Sequence, residues 1–193
     1  MKPRVTQRAW LWQRLDDPGL EHFIIEETPE RIVFDGALVA LLDGEPLRLS
    51  YSVQCDARFA VQRVELTCVA REARHMVLNR DAQGCWTHGD GAGQSTLTGC
   101  DVVDIAATPS TNALALRSLG LSEGESADLR VVYIAVPSLE VSVDRQRYTL
   151  LRRRNDEAVY RFESSDAAPG FVAEVTVDVE GFVLDYEGLF RRL

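Results

Sequence analysis

The chain has 193 residues, 46% of them hydrophobic, with 21 Lys and Arg against 30 Asp and Glu, a formal net charge of −9. That length buries a sizeable core, and the composition is ordinary for a soluble globular protein. The acidic balance argues against nucleic acid and anionic membrane surfaces as partners, because both select for a basic field.

The opening MKPRVTQRAWLWQRLDD is too polar for a signal peptide, and no apolar run reaches the length of a membrane span. A cytoplasmic protein with no integral membrane segment is therefore expected. Arg152–Arg154 and Arg191–Arg192 read as solvated strand ends and a basic chain end. Cys55, Cys68, Cys85 and Cys100 are widely spaced, form no C-x-x-C pair and read as buried thiols.

Taken in order, residues 9–13 predict a short strand with Trp10 and Trp12 on one face. Strands follow at 20–27, 31–42, 47–56 and 59–73. In the last of these, Gln62, Val64, Leu66, Cys68 and Ala70 share a face opposite Val61, Arg63, Glu65, Thr67 and Val69. Such alternation marks half-buried strands of an antiparallel sheet. HMVLNR and CWTHGD read as a hairpin about a four-residue loop, DAQG. Residues 89–96, GDGAGQST, lack the context of a phosphate loop and read as a flexible turn. Beyond residue 121 the strands resume at 129–136, 141–154, 158–163, 171–179 and 182–186.

Between them lies ATPSTNALALRSLGL, 107–121. Thr108 suits an N-cap, Pro109 the first helical position and Gly120 the stop, which predicts a helix over Pro109–Leu119. Ala113, Leu114, Ala115, Leu116 and Leu119 point in nearly every direction, so this helix is expected to be buried. The predicted fold is mainly β: a many-stranded, largely antiparallel sheet curled around one central buried helix and closed to remove its edges. It is read as one domain over residues 1–193. HMVLNRDAQGCW and EVTVDVEGFVLDY share an outline that hints at a weak internal duplication about the helix.

No G-x-S-x-G elbow and no metal-ligand spacing is present, and His22, His75 and His88 are scattered. No catalytic residue, metal or cofactor is expected. Asp101 and Asp104, three apart on a strand, face opposite sides, and a buried arginine is expected to partner one of them. Asn112 shares a stripe with Leu116 and Leu119, so its amide anchors the helix to sheet backbone or faces a ligand cavity. Arg117, on a stripe with Ser110, either pairs with a carboxylate near the helix end or presents its guanidinium to a head group. Arg147 and Tyr148 on QRYT and Tyr186 on DYEGLF are further candidates.

The run D-x-x-x-T-P-x-T-N-x-L-x-x-R-x-L, Asp104 to Leu119, resembles the signature of a glycolipid-binding family of bacterial proteins. YIAVP (Tyr133–Pro137), QRYT (Gln146–Thr149) and VDVEGFVLDYEGLFRR from Val177 resemble it too. Ala113, Ala115 and Ser118 depart from the family pattern on the helix itself. The resemblance implies a spiral β-roll around a single helix, a homodimer, and a glycolipid or other amphiphile as ligand. It brings no catalytic residues. The ligand candidates are therefore Asn112, Arg117, Ser110, Asp104, Arg147, Tyr148 and Tyr186.

Three functions compete. The leading one is a non-catalytic binding module for an amphipathic small molecule, and an acyl-sized cavity would favour it. A dimeric scaffold with a filled core and no small ligand is the alternative. An unrecognised enzyme, marked by a cleft with titratable groups of perturbed pKa, is the third.

Overall fold

A computed structural model of the chain describes residues 5–42 and 44–193. The first half runs β1 (Thr6–Arg14), β2 (Gly19–Glu27), β3 (Arg31–Leu42), β4 (Glu45–Asp56), β5 (Val61–Val69), β6 (Ala73–Arg80) and β7 (Trp86–His88). After a 3₁₀ turn at Ser95–Leu97 come β8 (Val102–Ile105) and α1 (Asn112–Ser118). The chain ends with β9 (Ser126–Ile134), β10 (Val141–Arg154), β11 (Glu157–Ser164), β12 (Val172–Asp178), β13 (Val183–Tyr186) and β14 (Phe190–Arg192).

All of these strands share one sheet, in the order β7-β6-β5-β4-β3-β2-β1-β14-β13-β12-β11-β10-β9-β8. It is thus a seven-strand meander from the first half and, from the second, a six-strand meander (β9–β14) with β8 added at its far edge, the two joined where β1 pairs antiparallel with β14. Among the described strands only β8 and β9 pair in parallel. A parallel pair needs a crossover, and α1 lies on the connection that makes it. Among the described residues, the one α-helix and the one parallel pairing are therefore the same event.

Alternation places the core. In β3, Ile32, Phe34, Gly36, Leu38 and Ala40 face inward, and their neighbours face out or lie half-buried. Trp10, Trp12, Phe23, Phe34 and Phe182 gather there, and the Trp12 indole N–H donates to the Val183 carbonyl over 2.9 Å. Three turns share one device. Asp56, Asp81 and Asp178 each accept the N–H groups two and four residues on, while the third residue takes a positive φ. Gly84 and Gly181 suit that conformation, and at Phe59 an aromatic residue adopts it.

Several expectations need correction. The sheet is open, not closed: β7 and β8 are its ends. Both ends are short. The loop after β7 folds back on it through His88 N–H to Ala92 O and Gln94 N–H to Trp86 O, which blunts that edge. Strand β5 stops at Val69, and its register slips against β4 at Gln54/Cys55. The slip buries Val61 and exposes Gln62, reversing the predicted faces at that end. The sixth and seventh strands are separated by five residues rather than four, because Cys85 belongs to the turn and is exposed. Cys55, Cys68 and Cys100 are buried thiols as expected.

The helix is shorter than predicted. It starts at Asn112, and Thr111 at its cap makes no side-chain capping bond. The Thr108 hydroxyl accepts the Ser110 N–H, as a cap would, and donates to Glu21, but regular helix begins only after the turn at 109–111. Asn112 to Leu116 are buried, while Arg117 and Ser118 reach the surface. Among the described residues no helix is long and apolar enough to cross a membrane.

Candidate functional site

Inward-facing positions of β10 fall at every second residue, so Asp144, Gln146, Tyr148 and Leu150 form one buried row. Strand β8 brings Asp104 to the same place, and the first turn of α1 brings Asn112. A directed chain of hydrogen bonds results. Asn112 Nδ2 donates to Tyr148 Oη (3.1 Å), and Tyr148 Oη donates to Gln146 Oε1 (3.3 Å). Gln146 Nε2 then donates to Asp104 Oδ2 (2.6 Å) and Asp144 Oδ2 (3.1 Å).

The two carboxylates are treated differently. Asp144 also accepts the Ser164 hydroxyl and the backbone N–H groups of Asp166 and Ala167, so it is fully engaged. Asp104 has only Gln146 and, at 3.3 Å, the Thr111 hydroxyl. Burial, together with the charge of Asp144, raises the Asp104 carboxyl to about 6 against the two hydrogen bonds that lower it. Burial likewise raises the Tyr148, Tyr186 and Tyr133 hydroxyls above their ordinary range.

These groups border a cavity of about 170 Å³. Asp104, Asn112, Asp144, Thr108 and Ser164 supply its polar side, and Ile105, Phe162, Phe171, Tyr186, Leu189 and Phe190 its apolar side. A hole of about 150 Å³ holds a benzene ring, so this one takes one ring-sized group and excludes a whole acyl chain.

Behind Thr108 sits a second polar cluster. Tyr51 Oη donates to Glu21 Oε1 (2.5 Å) and lies 2.6 Å from Ser110 Oγ; Thr108 Oγ1 donates to the same carboxyl oxygen (2.7 Å). Glu21 is fully buried and its Oε2 has no partner among the described residues. Burial raises its carboxyl to about 7, against the opposing hydrogen bonds of Thr108 and Tyr51.

Of the seven candidates, Asp104, Asn112 and Tyr186 line the cavity and Tyr148 stands directly behind Asn112. The other three lie elsewhere. Ser110 is buried in the Tyr51 cluster. Arg147 is exposed and forks onto Asp128 through bonds of 2.7 and 2.8 Å. Arg117 makes no ion pair among the described residues; its guanidinium lies 4.1 Å from the Phe59 ring centroid, and burial lowers its pKa. The expected arginine partner belongs to the outward aspartate, since Arg80 pairs with Asp101. Asn112 is bound by a side-chain hydroxyl and not by sheet backbone. Sequence reasoning missed Asp144 and Glu21. Each sits in register with an inward row, Asp144 with Tyr148 and Leu150, and Glu21 with Phe23 and Ile25.

The family model described as "Putative glycolipid-binding" matches residues 9–192. Two solved structures are similar. A DUF1089 family protein from Pseudomonas aeruginosa shares 31% identity at a TM-score of 0.78, covering 91% of this chain and 92% of its own. A β-barrel-like protein of the domain of unknown function DUF1849 from Brucella abortus shares 10% identity at a TM-score of 0.54, covering 98% and 94%. The second likeness concerns the fold alone. Among curated proteins no match was found.

Proposed function

The chain belongs to the glycolipid-binding family, and from that premise we propose that it is a non-catalytic module that binds the head group of an amphiphile. The observation that carries the reading is the cavity between β8, α1, β10 and β13, with aromatic walls and a hydrogen-bonding floor. Aromatic faces stack on the C–H faces of a sugar ring, and Asp104 and Asn112 bond its hydroxyls. At about 170 Å³ the hole seats the head, and the acyl chain runs outside it across Phe171 and Leu189. Binding rather than catalysis fits the carboxylates: Asp144 is saturated by its own donors, which leaves Asp104 as the one available carboxyl on the cavity wall.

The same reading makes residues 1–193 a single β-roll, its two meanders curling over α1. Tyr51 of the first meander meets Ser110 at one end of the helical segment, and Tyr148 of the second meets Asn112. It also makes the protein a cytoplasmic homodimer, for which exposed Leu11, Leu20 and Val39 on β1–β3 offer an apolar face.

The test is a blocked cavity. Ala106 is exposed at its rim, so Ala106→Trp fills the opening without disturbing the core. Octyl β-glucoside below its micelle concentration should bind the natural protein in calorimetry and fail to bind the variant at unchanged melting temperature. Equal binding by both would place the ligand elsewhere.

A further inference from the structure

The cavity that the proposed function assigns to a head group has a definite electrical character. Two carboxylates, Asp104 and Asp144, border it, and among the described residues no arginine, lysine or histidine does. Arg145, next to Asp144 in sequence, turns to the other face of β10 and is held by Asp166 through bonds of 2.9 and 2.8 Å. The opposite wall is aromatic, formed by Tyr133, Phe162, Phe171 and Tyr186. A ring that presents its face offers the negative lobe of its quadrupole, which has the same sign as the carboxylates.

A further feature points at an occupant. Tyr186 is only 6% exposed, yet its hydroxyl makes no hydrogen bond among the described residues while it borders the cavity. That hydroxyl opens on the cavity, where a group inside the hole can bond it. Asp104 similarly keeps acceptor capacity after Gln146 and Thr111 are served, because a carboxylate has about four acceptor sites.

We propose that this cavity selects a head group carrying a protonated amine, such as an amino sugar, over the same head group bearing only hydroxyls. A neutral hydroxyl satisfies the free acceptor positions but leaves the Asp104 charge uncompensated. An ammonium satisfies them and supplies the missing countercharge, and the aromatic walls attract it as well. The proposal rests on the head-group reading above and adds the charge of the ligand.

Proton linkage follows from the groups facing Asp104: Asp144 and the hydroxyls of Tyr133, Tyr148 and Tyr186, with no cation among them. The carboxyl, held up at about 6, is pulled down when a cation sits beside it. Preference for the amine is therefore full only between that pH and the pKa of the amine itself, and fades below it as the carboxyl is protonated and above it as the amine loses its proton.

The experiment compares octyl β-glucoside with octyl β-glucosaminide, which differ by one hydroxyl replaced with an ammonium, and with free glucosamine. At pH 7.5 the glucosaminide should bind at least about tenfold more tightly than the glucoside, a difference of about 1.4 kcal/mol. At pH 5 the preference should shrink several-fold in the natural protein, a readout that needs no variant. Asp104→Asn should bring the ratio of glucosaminide to glucoside affinity at pH 7.5 down to about one, whatever it does to the glucoside's own affinity. Equal or tighter binding of the glucoside at pH 7.5 would overturn the proposal and leave the head-group reading intact. Failure of both octyl glycosides to bind would overturn both. Free glucosamine binding as tightly as the octyl form would uphold the amine preference and identify the ligand as a free amino sugar.

Discussion

The amide of Asn112 and the hydroxyl of Tyr148, 36 positions apart in the chain, meet over 3.1 Å and tie the only α-helix among the described residues to the longest strand. This bond does two things. It satisfies a polar group in the first turn of a buried helix, and it holds the amide at the wall of the cavity. Asn112→Leu removes the donor and leaves Tyr148 with Gln146 alone. Unfolding in urea should show a loss of about 1–3 kcal/mol. An unchanged midpoint would mean that water replaces the amide without cost.

Glu21 should oppose folding at neutral pH. Its carboxyl rises from the ordinary 4.5 to about 7 in the folded protein. Below 4.5 it is protonated in both states and costs nothing. Between the two values the unfolded chain ionises and the folded one does not, so stability falls as pH rises; above about 7 the full cost of about 3 kcal/mol is present. Glu21→Gln should therefore raise the melting temperature at pH 8 and lose that advantage by pH 5. Destabilisation at pH 8 would show that the ionised carboxylate is favourably held.

Gly36 faces the Tyr51 ring so closely that a Cβ there would stand 2.1–2.3 Å from its atoms. Tyr51 cannot swing away without leaving Glu21 and Ser110. Gly36→Ala should cost at least the upper end of the about 1–3 kcal/mol range for overpacking, and Tyr51→Val in the same chain should relieve part of it. Thermal unfolding of the single and double variants checks this.

Leu116 is buried on α1, and Leu116→Ala should lose about 2–5 kcal/mol. Arg117, one residue on, offers the contrast. Its guanidinium rests on Phe59 and not in the cavity, so Arg117→Ala should cost only about 0.5–1 kcal/mol and leave octyl glycoside binding unchanged. Loss of binding at preserved stability would move the head-group site to that face.

Much of this was readable in the residues. The alternation of β3 and β10 and the all-round apolar surface of 113–116 place strands, helix and core, because each depends on neighbours in sequence. The start of the helix lies three residues later than the local pattern predicts: Thr108 accepts the Ser110 N–H as a cap would, but it also donates to Glu21, 87 positions away, and regular helix begins only at Asn112. The open sheet and the cavity depend on β8 docking in parallel on β9 and on β13 returning beside β12, pairings that no local period encodes. Asp144 was within reach: two residues before Gln146 and four before Tyr148, it had to share their inward face.

The seam between β1 and β14 also sets an order of events. Trp12 lies opposite Arg192 and Arg14 opposite Phe190, so the first described strand finds this neighbour only when the last one has been made. As the chain leaves the ribosome, β1 to β7 can zip up by hairpins alone, since each strand pairs with the next. Throughout that time β1 offers a bare edge to any other nascent chain. The indole of Trp12 waits as well, because the carbonyl that receives it belongs to Val183. Joining the two halves is thus the strand pairing of greatest sequence separation in the sheet, the kind of contact whose loop closure costs most before it is rewarded.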